Sequence, residues 1–184
     1  MSGVLVVAAL RTELLFVRHR PVAILGMGDK AAPRLVGLVR RKRPLGVLAV
    51  GFCGATWATL PPGALVLASG VDGLEVPGEL VERARTMLPR AEVGPVATVK
   101  ALADPREKAR LGLDALAVDM ESAPLARQLA SLGIPFLILR CVLDALWEDV
   151  SIGPRLRWTK RALMCARRLA EGVRTLVPVL ERTA

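Results

Sequence analysis

Short apolar runs alternate along this chain with segments whose apolar residues recur every three to four positions. That alternation predicts an α/β fold. Residues 4–8, 21–25, 45–50, 64–68, 93–99, 114–118 and 136–139 read as strands, several introduced by proline or glycine. Residues 31–41 carry Leu35, Val36, Leu38 and Val39 on helical spacing, and residues 79–87 and 125–132 follow the same period. Asp104-Pro105 opens a short helix, because aspartate caps the first free N–H groups and proline suits the first turn. Residues 155–176 form a long amphipathic helix with Leu156, Leu163, Leu169, Val173 and Leu176 among its apolar positions. The pattern predicts one domain over residues 1–184, with a mixed sheet of roughly six to eight strands and helices on both sides.

The carboxylates are placed unlike core residues. Ala117-Val118-Asp119-Met120-Glu121-Ser122-Ala123 ends one strand and opens a helix, and Asp144 follows the apolar run ending in Leu139-Arg140. Open α/β sheets gather ligands at such strand ends, so Glu121 and Asp144 are expected at one site.

Composition narrows the function classes. The net charge is +9, with 26 Lys+Arg, but the positive residues concentrate in Arg40-Arg41-Lys42-Arg43 and between Arg155 and Arg174. There is no tyrosine, and three Phe and three Trp offer no aromatic platform, so a nucleic-acid partner is not expected. No apolar run is long enough to span a membrane. The apolar N-terminus has no basic segment before it and carries Glu13 where a cleavage region would lie, so it reads as a strand and not a secretory signal. Cys53, Cys141 and Cys165 show no metal-ligand spacing and fit a reducing cytoplasm. His19 stands in a basic loop without a companion ligand. No metal site is expected.

AVDMESAPLARQLASLGIPFLILRCVLD resembles the signature region of the purine nucleoside phosphorylase and methylthioadenosine/adenosylhomocysteine nucleosidase superfamily. Three further stretches resemble that family in the same order. They are VLVVAALRTEL near the N-terminus, the turn Gly26-Met27-Gly28-Asp29-Lys30-Ala31-Ala32, and Val50-Gly51-Phe52-Cys53-Gly54-Ala55 followed by Pro62-Gly63-Ala64-Leu65-Val66. The form DMESxxxARxxxxxGxPF is similar to the hopanoid-associated phosphorylase-like branch.

The resemblance implies a three-layer α/β/α sandwich with a mixed, partly closed central sheet, and cleavage of a nucleoside N-glycosidic bond by phosphorolysis or hydrolysis. It implies a small-molecule nucleoside substrate, a homo-oligomer (dimer or larger) and no cofactor beyond phosphate as a co-substrate. Glu121 matches the ribose-binding glutamate, with Met120 beneath the sugar. Gly51, Phe52, Cys53 and Gly54 match the segment lining the site. Asp144 matches the acid that protonates the leaving base, and Glu13 the glutamate that activates water. Each also has a plainer reading: charge at a helix N-terminus for Glu121, a loop or cap carboxylate for Asp144, a solvated strand end for Glu13. The glycine turn with Gly28 and Lys30, and Arg11, are candidate phosphate ligands, although a tight structural turn explains the glycines equally well.

The chain also departs from the family pattern. Leu143 stands where a serine commonly precedes the acid, and Arg11 and Thr12 replace glutamates. Ala49 and Phe52 replace an arginine and a serine that contact phosphate. Between Ser69 and Pro77 only a short segment remains where the family carries a longer, aromatic-rich one. A pocket filled by Phe52 or by a tryptophan would therefore mark a degenerate member that binds a nucleoside or partner without efficient catalysis. An open pocket holding Glu13, Glu121 and Asp144 would mark an enzyme.

Overall fold

The computed structural model describes residues 3–152 and 154–182. Eight strands form the sheet: β1 (Leu5–Ala8), β2 (Val22–Ile24), β3 (Val47–Ala55), β4 (Leu65–Val71), β5 (Leu74–Glu75), β6 (Glu92–Thr98), β7 (Ala117–Asp119) and β8 (Phe136–Asp144). Among the described residues, the α-helices that accompany them are α1 (Ala31–Lys42), α2 (Gly78–Met87), α3 (Pro105–Leu111), α4 (Ser122–Ser131) and α5 (Arg155–Glu181). The strand order is β2-β1-β3-β7-β6-β4-β5, and β8 pairs with both β3 and β4. Strands β3, β7, β6, β4 and β8 thus close on themselves, and β1 and β2 extend the sheet from β3. The sheet is mixed: β3 runs parallel to β1 and β8 and antiparallel to β7.

Hydrophobic burial drives this arrangement. β3 and β8 are buried along nearly their whole length, as expected of strands covered on both faces. α1 turns Ala31, Leu35 and Val39 inward, a four-residue repeat that lies along one helical face. α5 buries Cys165, Leu169, Val173, Leu176 and Leu180 against β8 and β3. The helices pack as two pairs, α1 with α4 and α2 with α5. Asp104 caps α3 as expected, its Oδ1 accepting the Glu107 N–H at 2.8 Å.

Several elements differ from the sequence-based expectation. β3 does not stop at Val50 but continues through Gly51–Ala55, because β8 pairs with it as far as Gly54 and β7 with Gly54–Ala55. β8 likewise continues past Leu139 to Asp144. β7 is shorter than expected, since residues 112–115 are held in turns by bonds such as Ala115 N–H to Leu111 O. Leu156 and Leu163 are exposed, so the buried stripe of α5 begins at Cys165. The short segment after Ser69 is a tight hairpin, β4–Asp72-Gly73–β5, with positive φ at both turn residues. Asp-Gly is the preferred pair for such a turn.

Candidate active site

The site lies where β3 changes neighbours. β8 occupies one edge of β3 from Val47 to Gly54. On the other edge β1 pairs with Val47–Ala49 and β7 with Gly54–Ala55. Between these two pairings the edge opens, and the Phe52 N–H has no strand to meet. Glu13 takes the place of that strand: its Oε1 accepts the Phe52 N–H at 2.9 Å. Its Oε2 accepts the Leu10 N–H at 2.7 Å, which closes the short 3₁₀ helix Arg11–Leu14. Glu13 is thereby locked by two backbone donors, while each oxygen keeps a further acceptor site. Burial pushes its carboxyl above the ordinary glutamate range, and the two N–H groups and Arg140 pull it partly back.

A bulge delivers the second carboxylate. Cys53 pairs with Val142, but Gly54 pairs with Asp144, so Leu143 is an extra residue on β8. Bulges of this kind re-aim side chains beside active sites. Here the bulge puts Asp144 next to Gly54, where a Cβ would sit 3.1 Å from Asp144 Oδ2 and 3.1 Å from Lys108 Cε. Lys108, on α3, is 1% exposed and pairs with Asp144. Burial raises the Asp144 carboxyl above its ordinary value, and the Lys108 ammonium opposes that rise.

The third carboxylate, Glu121, follows β7 at the start of α4. The capping of α4 falls to Asp119, whose Oδ1 accepts the Glu121 and Ser122 N–H groups at 3.3 and 3.1 Å. Glu121 therefore does not serve as the side-chain cap of this helix. The residue is 8% exposed and lines the pocket. Burial raises its carboxyl to about 7, with Arg140 opposing and Asp119 and Glu13 reinforcing the rise.

Arg140 anchors these charges from below. It is 1% exposed, its Nε lies 2.6 Å from Asp119 Oδ2, and Nε and Nη2 donate to Ser122 Oγ at 3.0 and 2.8 Å. Burial works against its charge, but Asp119, Glu121 and Glu13 hold it protonated. Gly51 makes room for it, since a Cβ there would lie 1.9 Å from Arg140 Nη1.

Glu13, Glu121 and Asp144 line one cavity of about 230 Å³, together with Lys108 and Asp119. Met120, Phe52, Cys53 and Gly54 also line it, whereas Gly51 is packed behind the wall against Arg140 and Glu13. Burial pushes the Cys53 thiol well above its ordinary range, so it is not an activated nucleophile. Leu10, Met27 and Leu102 line the pocket and are exposed. The Gly26–Lys30 turn contributes Met27 to the lining but not Gly28 or Lys30. Lys30 and Arg11 are exposed, and Gly28 has positive φ, as a structural bend requires. Among the described residues, no group of three or more His, Cys, Asp and Glu is arranged to hold a metal ion.

Lys108 and Arg140 belong to the site although the sequence patterns above do not mark them. For Arg140 a signal exists: a charge inside the apolar run of β8 has to find a buried partner. For Lys108 there is none, because PREKARL reads as an ordinary solvated helix. The loop Val99–Ala103, which supplies one wall, carries no chemical mark in sequence either.

Comparison with solved structures gives the same fold. The chain superposes on Helicobacter pylori 5'-methylthioadenosine/S-adenosyl homocysteine nucleosidase with a TM-score of 0.83 at 18% identity, covering 96% of this chain and 98% of that one. Futalosine hydrolase of Helicobacter pylori gives 0.82 at 17% identity, over 96% and 97% of the chains. S-adenosylhomocysteine nucleosidase from Streptococcus pyogenes gives 0.79 at 18% identity, over 95% of each. At these identities the likeness is one of fold. A search of curated proteins found no match. Residues 74–175, more than half of the chain, match the phosphorylase superfamily, and with the three-layer α/β/α fold and its closed mixed sheet the chain belongs to that family.

Proposed function

We propose that this protein cleaves the N-glycosidic bond of a purine nucleoside or nucleoside-like metabolite, with water as the nucleophile. The convergence of Glu13, Glu121 and Asp144 in one open pocket carries this reading. Breaking that bond builds positive charge on the ribose and negative charge on the departing base. The reaction therefore calls for an acceptor near the sugar, a proton for the base and an oriented nucleophile. Glu121, beside Met120, accepts from the ribose hydroxyls. Asp144 faces the base. Glu13, fixed by two N–H groups, orients water toward the anomeric carbon.

Water is favoured over phosphate by the charges around the pocket. The carboxylate-rich lining repels an anion, and the candidate phosphate ligands Gly28, Lys30 and Arg11 lie outside it. The fold is shared with proteins named as nucleosidases and as a futalosine hydrolase, which supports the same choice. The competing reading, a member that binds without efficient catalysis, calls for a filled pocket. Phe52 instead lies on the wall, and neither Trp147 nor Trp158 is among the lining residues. No described helix is long and apolar enough to cross a membrane. A cytoplasmic homo-oligomer is the assembly we propose.

The test is release of free base from adenosine, inosine, methylthioadenosine and adenosylhomocysteine, with and without phosphate. Release without phosphate, reduced by about 10²-fold or more in Asp144→Asn, is the expected result. Release that requires phosphate would replace water in this reading. Absence of release from every nucleoside would overturn it in favour of binding without catalysis.

A further inference from the structure

The Lys108–Asp144 pair bears on how the leaving base obtains its proton, and the inference rests on the nucleoside-cleaving function proposed above. A neutral carboxyl can hand over its own proton. Asp144 instead accepts from the Lys108 ammonium, and a carboxylate in that position has no proton of its own to give. The nearest one is on Lys108 Nζ.

Lys108 Nζ meets three acceptors, as many as the N–H donors of an ammonium: Asp144 Oδ2, Ala145 O at 2.9 Å and Glu148 O at 2.6 Å. The turn carrying the two carbonyls is itself locked. The Glu148 N–H donates to Ala145 O at 3.0 Å, and Glu148 Oε2 accepts the Ala145 N–H at 3.0 Å. Arg157 and Arg161 in turn fix the Glu148 carboxylate. Every N–H of Lys108 is therefore directed at the protein, so its proton reaches a ligand through Asp144. Leu143 supplies no hydroxyl to Asp144, which leaves Lys108 as the side chain that orients it.

We propose that Lys108 is the proton reservoir of the site and that Asp144 relays its proton to the departing base. The Nζ–H bond breaks and the proton moves to Asp144 as the base docks. The C1′–N bond then breaks with its electron pair moving onto the base. The Asp144 O–H bond breaks last, and its proton goes to the base nitrogen. The products on the protein are a neutral amine and a carboxylate. Water adding to C1′ releases one proton, which returns through the Asp144 carboxylate to Lys108 and restores the ammonium, so the cycle closes without another reactant. Burial favours the first transfer, because it converts an ion pair into two neutral groups in a poorly solvated place. Other charged or titratable groups act on this pair: Glu148, with Arg161 behind it, Asp149 and Cys53. Lys108 is thus a positioning and proton-supplying residue that acts through Asp144.

The experiment compares a purine nucleoside that the wild type cleaves with its N7-methylated counterpart, whose base already carries positive charge and leaves without a proton. Lys108→Met is expected to lose about 10²–10⁴-fold in kcat on the parent nucleoside, with a far smaller loss on the methylated one. Asp144→Asn should show the same selectivity, whereas Glu13→Gln should slow both. Lys108→Gln, which keeps a donor to Asp144 but holds no transferable proton, should not restore the parent reaction. Parent cleavage within about threefold of wild type in Lys108→Met would overturn the proposal. Equal losses on both substrates, or rescue by Lys108→Gln, would do the same by reducing Lys108 to a structural or hydrogen-bonding part. A wild type inactive on every nucleoside would instead overturn the function itself, and the role of Lys108 with it.

Discussion

Replacing Glu121 with glutamine should separate what this residue costs the fold from what it does in the site. Burial, with Asp119 and Glu13 nearby, raises its carboxyl from the ordinary 4.5 to about 7 despite Arg140. Between those values the native state keeps a proton that the unfolded chain has already released. Stability contributed by this residue therefore falls as pH rises through that window. At about 1.4 kcal/mol per pH unit, the ionised carboxylate costs the native state about 3 kcal/mol once the pH is well above 7. Glutamine does not titrate and has nearly the same shape. The stability difference between Glu121→Gln and wild type should therefore shift in the variant's favour by about 3 kcal/mol between pH 4.5 and pH 8, or about 6–12 °C in Tm for a chain of this size. Urea unfolding at a series of pH values reads this directly. Glu13 and Asp144 titrate in both proteins and largely cancel in the difference. The same variant should lose affinity for nucleosides, because an amide accepts ribose hydroxyls less strongly than a carboxylate. A stability difference that stays constant with pH, or moves the other way, would refute the reasoning that Glu121 is an ionisable group held against solvation.

Two further outcomes follow from the charge anchor beneath the pocket. Arg140→Met should destabilise the protein by about 3–5 kcal/mol, because it leaves Asp119 buried without its cation. Adding Asp119→Asn should recover part of that loss in a double-mutant cycle read by denaturant unfolding. Gly51→Ala places a methyl 1.9 Å from Arg140 Nη1 and 3.2 Å from Glu13 Oε1. It should cost about 1–3 kcal/mol and lower kcat by displacing Glu13, whereas Gly73→Ala, in the turn away from the pocket, should leave kcat unchanged.

The order of strands and helices was legible in the chain because it rests on local periodicity. Residues 4–8 are buried as a strand, residues 31–41 bury Leu35 and Val39 of the spaced apolar positions while Val36 and Leu38 are half-buried, and Asp104-Pro105 starts a helix by its own chemistry. Glu121 and Asp144 stand out because carboxylates at apolar strand ends are costly unless they have a use, whereas Glu13 is marked only by the family resemblance. Other features depended on pairings between residues far apart in sequence. β3 is extended because β8 and β7 occupy its edges beyond Val50, and the bulge at Leu143 exists only in that pairing. Lys108 belongs to a helix that reads as solvated, and it becomes buried only because the turn Ala145–Glu148 and Asp144 close over its ammonium. A charge in a short helix has no sequence neighbour to reveal its partner, since the partner lies 36 residues away. Periodicity and capping act within a few residues and therefore show in the sequence. The ion pairs that set the protonation of this site are contacts across the fold, and only the tertiary structure decides them.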